Sequence, residues 1–465
     1  MPRQRTARRR SGSRDMKAKP IVTVLGAAST TFGPKVLRDI INHPQLDGCT
    51  FRFVDVHEQR LAIYDRLARR VADQIDHSVQ IESSGNRKAM LKGADYVIVS
   101  VEVGHYELWQ QDFSIPVRAG VRQVTGELGG VGGLFHSLRQ IPLHLEIARD
   151  IEAICPAAMV LVCSNPLNRI CLAMRRYSGV GEVIGLCHGV EITENFLARR
   201  VLDLPGDQIE STAAGVNHFT WILDLRHRST GEDLHPKLAE GLKRLDPKVE
   251  GLSRKLFEVY GYYPACGDAH IGEYISYAWE FVGLDGPPLG NRLESEHERW
   301  RLLDKLSRGS AGRADYAGAE RAQAGEAEEL RLDEFFQPRS WVDTLAFPIM
   351  AATESHRLHR MPAVNMLNAG TIDNLPADVF VESPAVVDGS GVRPIRIGEL
   401  PKPLAAFCRR DVDQMELTVE AAVTGDRRRV VQAALLDPVV DNVRTAERVV
   451  DQMLREQARY LPQFV

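Results

Sequence analysis

Between Ile21 and Pro205 the chain switches repeatedly between two hydrophobic periods. Short β-branched runs predict strands at Ile21–Leu25, 50–56, 94–101, 159–163 and 183–186. Between them, apolar residues recur at helical spacing over 34–42, 61–75 and 135–154. The run ADYVIVSV at 94–101 is apolar throughout, the pattern of a strand covered on both faces. Such alternation predicts an α/β fold with a doubly wound parallel sheet. Near Asp207 the pattern changes. Stretches 209–216 and 218–225 read as longer strands, and beyond Lys237 the chain reads as helices with irregular connections. The expected organisation is a disordered basic tail at 1–19, a doubly wound domain at 20–205 and a larger mixed α+β domain at 206–465. The segment 308–329, rich in Ala, Gly and charge, reads as an exposed or mobile insertion.

Composition narrows the class. The 465 residues are 44% hydrophobic and 26% charged, which supports a sizeable core. A net charge of -4 offers no basic field for nucleic acid. The apolar runs fall short of the roughly 18–20 residues that cross a bilayer, so no membrane association is expected. Arg8, Arg9 and Arg10 are not followed by the long apolar stretch of a signal peptide, and Met16 is an alternative start. The seven cysteines are dispersed, as in a reducing cytoplasm. Any conspicuous cysteine is then a ligand or nucleophile candidate.

Candidate chemistry lies at the strand ends. In VLGAASTTFG, Gly26 stands where a strand turns into a helix, the position at which backbone amides and a helix dipole receive phosphate. Ala28 replaces the second fingerprint glycine, and Ser29 offers a hydroxyl donor. Asp55 closes the second strand, where a carboxylate accepts from both ribose hydroxyls and repels a 2′-phosphate, favouring NAD over NADP. Three further stretches follow strands: SNPLN with Asn165, GLCHG with Cys187 and His188, and GVNHF with Asn217 and His218. Cys187 and His218 offer a thiolate and an imidazole to one divalent ion, leaving positions open for substrate oxygens. On residue chemistry alone, an Asn-Pro turn and ordinary buried Cys and His residues explain the same stretches.

The ordered set VLGAAS, Asp55, SNPLNR, GLCHG, GVNHF, VNMLNAGTIDNLPADVFVESP and LTVEAAVTGDR resembles glycoside hydrolase family 4 from Ile21 onward. The resemblance implies a Rossmann-type domain, NAD held by Gly26, Ala28, Ser29 and Asp55, and Mn2+ or another divalent metal held by Cys187 and His218. Many members have glycine where Ala28 stands. It implies sugar contacts from Asn165, with Asn217 alongside. Arg139, in FHSLRQIP, would bind substrate or NAD, a structural helix arginine being the alternative. The implied route removes hydride from C3, removes the C2 proton, eliminates the glycosidic oxygen, adds water and returns the hydride. The family's base lies downstream of the Asn-His pair. Within GYYPACGDAH, Asp268 is the expected base and Tyr263 its runner-up, since an aspartate is already ionised at neutral pH. His188 is the expected acid, a histidine titrating near working pH. The Cys-His pair goes with non-phosphorylated α-glycosides: glucosides, galactosides or, with Gly189 following, glucuronides. An NAD-dependent dehydrogenase of hydroxy acids or sugars is the alternative. A homodimer or homotetramer is implied by the family.

Overall fold

The computed structural model describes residues 19–287, 289–308 and 344–464. The expected tail and the insertion at 308–329 lie outside these, apart from Lys19 and Arg308.

Six short strands, apolar except for β3, form the first half of the sheet: β1 (Ile21–Leu25), β2 (Thr50–Val54), β3 (Gln80–Ser83), β4 (Tyr96–Val99), β5 (Met159–Val162) and β6 (Val183–Gly185). They are parallel and ordered β3-β2-β1-β4-β5-β6. The chain thus winds one way from β1 and the other way from β4, which opens a crevice beyond their carboxyl ends. Successive side chains of β1 and β4 enter different cores. Val22, Val24 and Ile98 pack in one, while Leu25, Val97 and Val99 pack in the other.

The second half adds β7 (Ile209–Val216), β8 (Phe219–His227), β9 (Tyr263–Pro264), β10 (His359–Leu367), β11 (Phe380–Asp388) and β12 (Gly391–Pro394). Asn365 of β10 pairs antiparallel with Gly185 of β6, so all twelve strands belong to one sheet. Beyond β6 the order is β10-β11-β7-β8-β9, with β12 on the far part of β11. The sequence pattern missed β3 and β9 to β12. Strands β10 and β11 carry fully buried polar residues, Asn365 and Glu382, that interrupt their apolar reading. The two are paired, Asn365 Nδ2 donating to Glu382 Oε1 at 2.8 Å.

The long helix after β4 runs over Gly130–Ile154, starting ahead of the 135–154 expected. Its first turn is glycine-rich, which propensity disfavours. Tertiary packing overrides propensity here. A Cβ at Gly133 would lie 2.1 Å from the Leu128 carbonyl carbon, and one at Gly132 would lie 2.6 Å from the Gly126 carbonyl oxygen.

Candidate active site

At the amino-terminal end of the cleft, Gly26 turns the chain off β1 with φ +81°. A Cβ there would stand 2.0 Å from the Ser100 carbonyl oxygen just beyond β4, so only glycine fits. Ala28 donates its amide to Asp55 Oδ2 at 3.1 Å, and His57 donates to Asp55 Oδ1 at 2.9 Å. Each oxygen of Asp55 keeps capacity for a further donor. Ser29 Oγ accepts from the Thr31 and Phe32 amides at 3.2 and 3.0 Å, which leaves its own proton to donate. The helix Phe32–Asn42 starts at this point, and its first two amides, of Phe32 and Gly33, are held by Ser29 Oγ and the Ser29 carbonyl.

Gly26, Ala28, Ser29 and Asp55 line a cleft of about 1670 Å³ that continues to Asn165, His218 and His270. Single-ligand pockets reach roughly 1,000 Å³, so this volume admits a dinucleotide and a sugar together.

Tight turns assemble the far end. Cys187 lies two residues beyond β6, His218 occupies the β7–β8 turn with φ +61°, and Cys266 follows β9 with φ +88°. Their ligand atoms all lie within 4.8 Å of one another. A hydrogen bond from Cys266 and the His218 charge hold the Cys187 thiol well below its usual range, although burial opposes them. Burial alone would lower His218, but the Cys187 thiolate, with Glu127 and Glu273 nearby, carries it up to about 9. Each of the two thus favours the charged form of the other, and His218 Nδ1 is buried with no hydrogen-bond partner. A divalent ion fits such a pair, a sulfur and a buried ring nitrogen without a partner, and its binding releases their protons.

A second group abuts this one. The His218 and His270 rings are 4.4 Å apart. His270 Nδ1 is 3.9 Å from Glu127 Oε2 and 3.8 Å from Glu273 Oε1. Glu273 Oε2 accepts the amides of Glu127, Leu128 and Gly129 at 2.8, 2.8 and 2.9 Å, which pins the loop carrying Glu127. Asn165 Nδ2 donates to Glu127 Oε1 at 2.8 Å, so the expected sugar contact and a cleft-lining carboxylate are adjacent.

Several expected site residues are placed elsewhere. Asp268 uses both carboxylate oxygens on the start of helix Gly251–Tyr260, accepting from the Leu252 and Ser253 amides at 2.8 Å and the Ser253 hydroxyl at 2.7 Å. It does not line the cleft, whereas its neighbours Ala269 and His270 do. Tyr263 is buried in a hydrophobic core beside Phe257, and burial raises its phenol well above the usual range. His188 heads the helix Gly189–Phe196, with Nδ1 3.0 Å from Glu191 Oε2, and is absent from the cleft wall. Asn217 donates to Glu382 Oε1 at 3.1 Å and hydrogen-bonds the Cys187 sulfur, so it supports the thiolate from behind. Arg139 is buried in a bidentate pair with Asp112, at 2.9 and 2.6 Å, and also donates to Gln457 at 2.7 Å. It is the structural helix arginine of the two alternatives.

The sequence reading missed Glu127, His270, Glu273 and Cys266. Two of them lie within the stretch already singled out around Asp268, and Glu127 directly precedes Leu128 and the glycine run.

A doubly wound nucleotide-type sheet, extended by antiparallel strands that bring His218 to the wall of the same cleft with Cys187 beside it, defines the class. Residues 21–203 match the model of family 4 glycosyl hydrolases, and 213–440 match the family 4 glycosyl hydrolase C-terminal domain. The chain belongs to that family and is a glycosidase, not the dehydrogenase held as its alternative. It is 32% identical over 452 residues to the alpha-galactosidase of Bacillus subtilis (strain 168), covering 95% of this chain and 99% of that one. It is 30% identical over 480 residues to the alpha-glucosidase of Erwinia rhapontici, covering 95% and 98%. A crystal structure of a 6-phospho-alpha-glucosidase from gut microorganisms, in complex with NAD and Mn2+, superposes with a TM-score of 0.79. It covers 96% of this chain and 100% of that one at 19% identity, a likeness of fold.

Proposed function

We propose that this chain hydrolyses the O-glycosidic bond of non-phosphorylated α-glycosides, with NAD held by Gly26, Ala28, Ser29 and Asp55 and a divalent ion held by Cys187 and His218. One observation carries the reading: a single cleft of about 1670 Å³ runs from Gly26 and Asp55 to Asn165 and His218. α-Galactosides and α-glucosides are the first substrates, supported by the names of the two curated relatives. An α-glucuronide needs a cation near C6. That second reading is favoured by Arg292, which lies on the cleft wall 5.5 Å over the Trp109 ring.

When bound, NAD supplies acceptance and return of the C3 hydride, and the ion stabilises negative charge on neighbouring sugar oxygens. The chain's own groups move the protons. Glu127 takes the C2 proton, aligned by its hydrogen bond from Asn165. His270, between Glu127 and Glu273, delivers a proton to the leaving oxygen. Asn165 serves the sugar through its amide oxygen.

A reducing cytoplasm is the proposed location, supported by seven cysteines that are all unpaired. A homodimer or homotetramer rests on the family resemblance. Among the described residues no helix is long and apolar enough to cross a membrane.

The test is hydrolysis of aryl α-galactosides, α-glucosides and α-glucuronides in D₂O, with and without NAD and divalent ion. The expected result is free sugar carrying deuterium at C2, with no net accumulation of NADH. Sugar lacking that deuterium, together with no rate effect from C2-deuterated substrate, overturns the route.

A further inference from the structure

Cys266 sits opposite Cys187 and His218 in a pocket shaped to hold its sulfur there. A Cβ on Gly189 would lie 1.8 Å from Cys266 Sγ and 3.6 Å from Cys187 Sγ, so the sulfur fills space that any other residue at 189 would occupy. Thr193, itself buried, clamps the two loops together. Its hydroxyl donates to the Gly189 carbonyl at 2.9 Å and accepts the Cys266 amide at 2.9 Å. Cys266 pays for this position with φ +88°, a conformation costly for a non-glycine residue. His218, at φ +61°, is turned toward the same point.

The distances suit one ion. Two thiolates, each about 2.3 Å from a tetrahedral metal, stand about 3.8 Å apart. All three donor atoms here lie within 4.8 Å of one another. His218 Nδ1 is buried without a partner, and His218 is only 5% exposed.

We infer that Cys266 is a third protein ligand of the divalent ion, and that this two-thiolate, one-imidazole site selects cobalt(II), iron(II) or zinc over manganese(II). The inference rests on the reading that Cys187 and His218 hold the ion. Soft thiolate donors favour the later and softer divalent ions, whereas manganese favours oxygen donors. The third ligand leaves fewer open positions than a two-ligand site, which still admits substrate oxygens.

The experiment titrates Co2+ into the metal-stripped, NAD-loaded full chain and reads the near-ultraviolet thiolate-to-cobalt absorbance. Wild type is expected to give about twice the signal per bound Co2+ of either Cys266→Ser or Cys187→Ser, and the double variant none. Cys266→Ser is also expected to narrow the preference for Co2+ over Mn2+ in competition. Its loss of Co2+ affinity should exceed the roughly 10–100-fold that removal of an outer-shell partner costs. Full absorbance and affinity in Cys266→Ser, with the signal lost in Cys187→Ser, overturns the role of Cys266 and leaves the two-ligand site standing. No thiolate band in wild type overturns both. Should Cys266→Ser fail to fold, alkylation of the wild-type cysteines with and without Co2+ decides by peptide mass. Protection of Cys187 and Cys266 together supports three ligands, and protection of Cys187 alone refutes them.

Discussion

Thr220 Oγ1 lies 2.5 Å from Glu382 Oε2 and 2.9 Å from the Val216 carbonyl oxygen. A hydroxyl has one proton and cannot donate to both. A proton on Glu382 resolves the conflict, because the carboxyl then donates to Thr220 and Thr220 donates to Val216. Glu382 Oε1 still accepts from Asn217 and Asn365 at 3.1 and 2.8 Å. Burial, with the Cys187 thiolate nearby, pushes this carboxyl up to about 7.

That protonation sets a pH dependence. Folded Glu382 keeps a proton that the unfolded carboxyl releases from 4.5 upward. Its contribution to stability is full below 4.5 and is lost as pH rises through about 7. A glutamine reproduces the protonated form, with its amide donating to Thr220, and does not titrate. In metal-free protein, Glu382→Gln is expected to match wild type near the acid end of that window and to melt above it near pH 8. Thermal melts across the range check this, and a constant gap at every pH refutes it.

Glu127 and Asp268 should separate by phenotype. Glu127→Gln is expected to lower kcat by at least about 100-fold, the usual scale for a positioned acid or base, while NAD binding persists. Asp268→Ala removes the cap on helix Gly251–Tyr260 and should cost about 1–2 kcal/mol of stability, with kcat per folded molecule near wild type. Kinetics paired with denaturant melts tell them apart. A large kcat loss in Asp268→Ala at unchanged stability would restore Asp268 as the base.

Asp55 should decide the cofactor. Its two oxygens face the cleft while holding the Ala28 and His57 amides. Asp55→Ala is expected to weaken NAD binding at least 10-fold (about 1.4 kcal/mol) and to narrow the preference over NADP. Fluorescence titration with both dinucleotides reads it, and an unchanged ratio excludes the role.

Gly26→Ala should abolish NAD binding or folding, because φ +81° and a Cβ contact of 2.0 Å to Ser100 oxygen leave no room. Near-normal NAD affinity in this variant would mean that the turn relaxes freely.

Local rules were enough for five of the six parallel strands; the short, polar edge strand β3 escaped them. Strand–helix alternation, glycine at the turn after β1 and an acid at the end of β2 are properties of neighbouring residues, and they put Gly26, Ser29 and Asp55 on the cleft. Cys187 and His218 were also legible, because each follows a strand within a short motif. What the sequence by itself determined therefore reaches as far as sequence-local patterning. Tertiary structure decided the rest. Asp268 looks like a base in a one-dimensional stretch, but the start of a helix 15 residues earlier claims its oxygens. Arg139 meets Gln457 across 318 residues. Glu127, His270 and Glu273 become one group only when the loop after helix His105–Arg118 folds onto the segment after β9. Strands β10 and β11 hide their buried Asn365 and Glu382 from an apolar reading. Hydrogen-bond satisfaction of buried polar groups is a pairing between distant residues, and no local period records it.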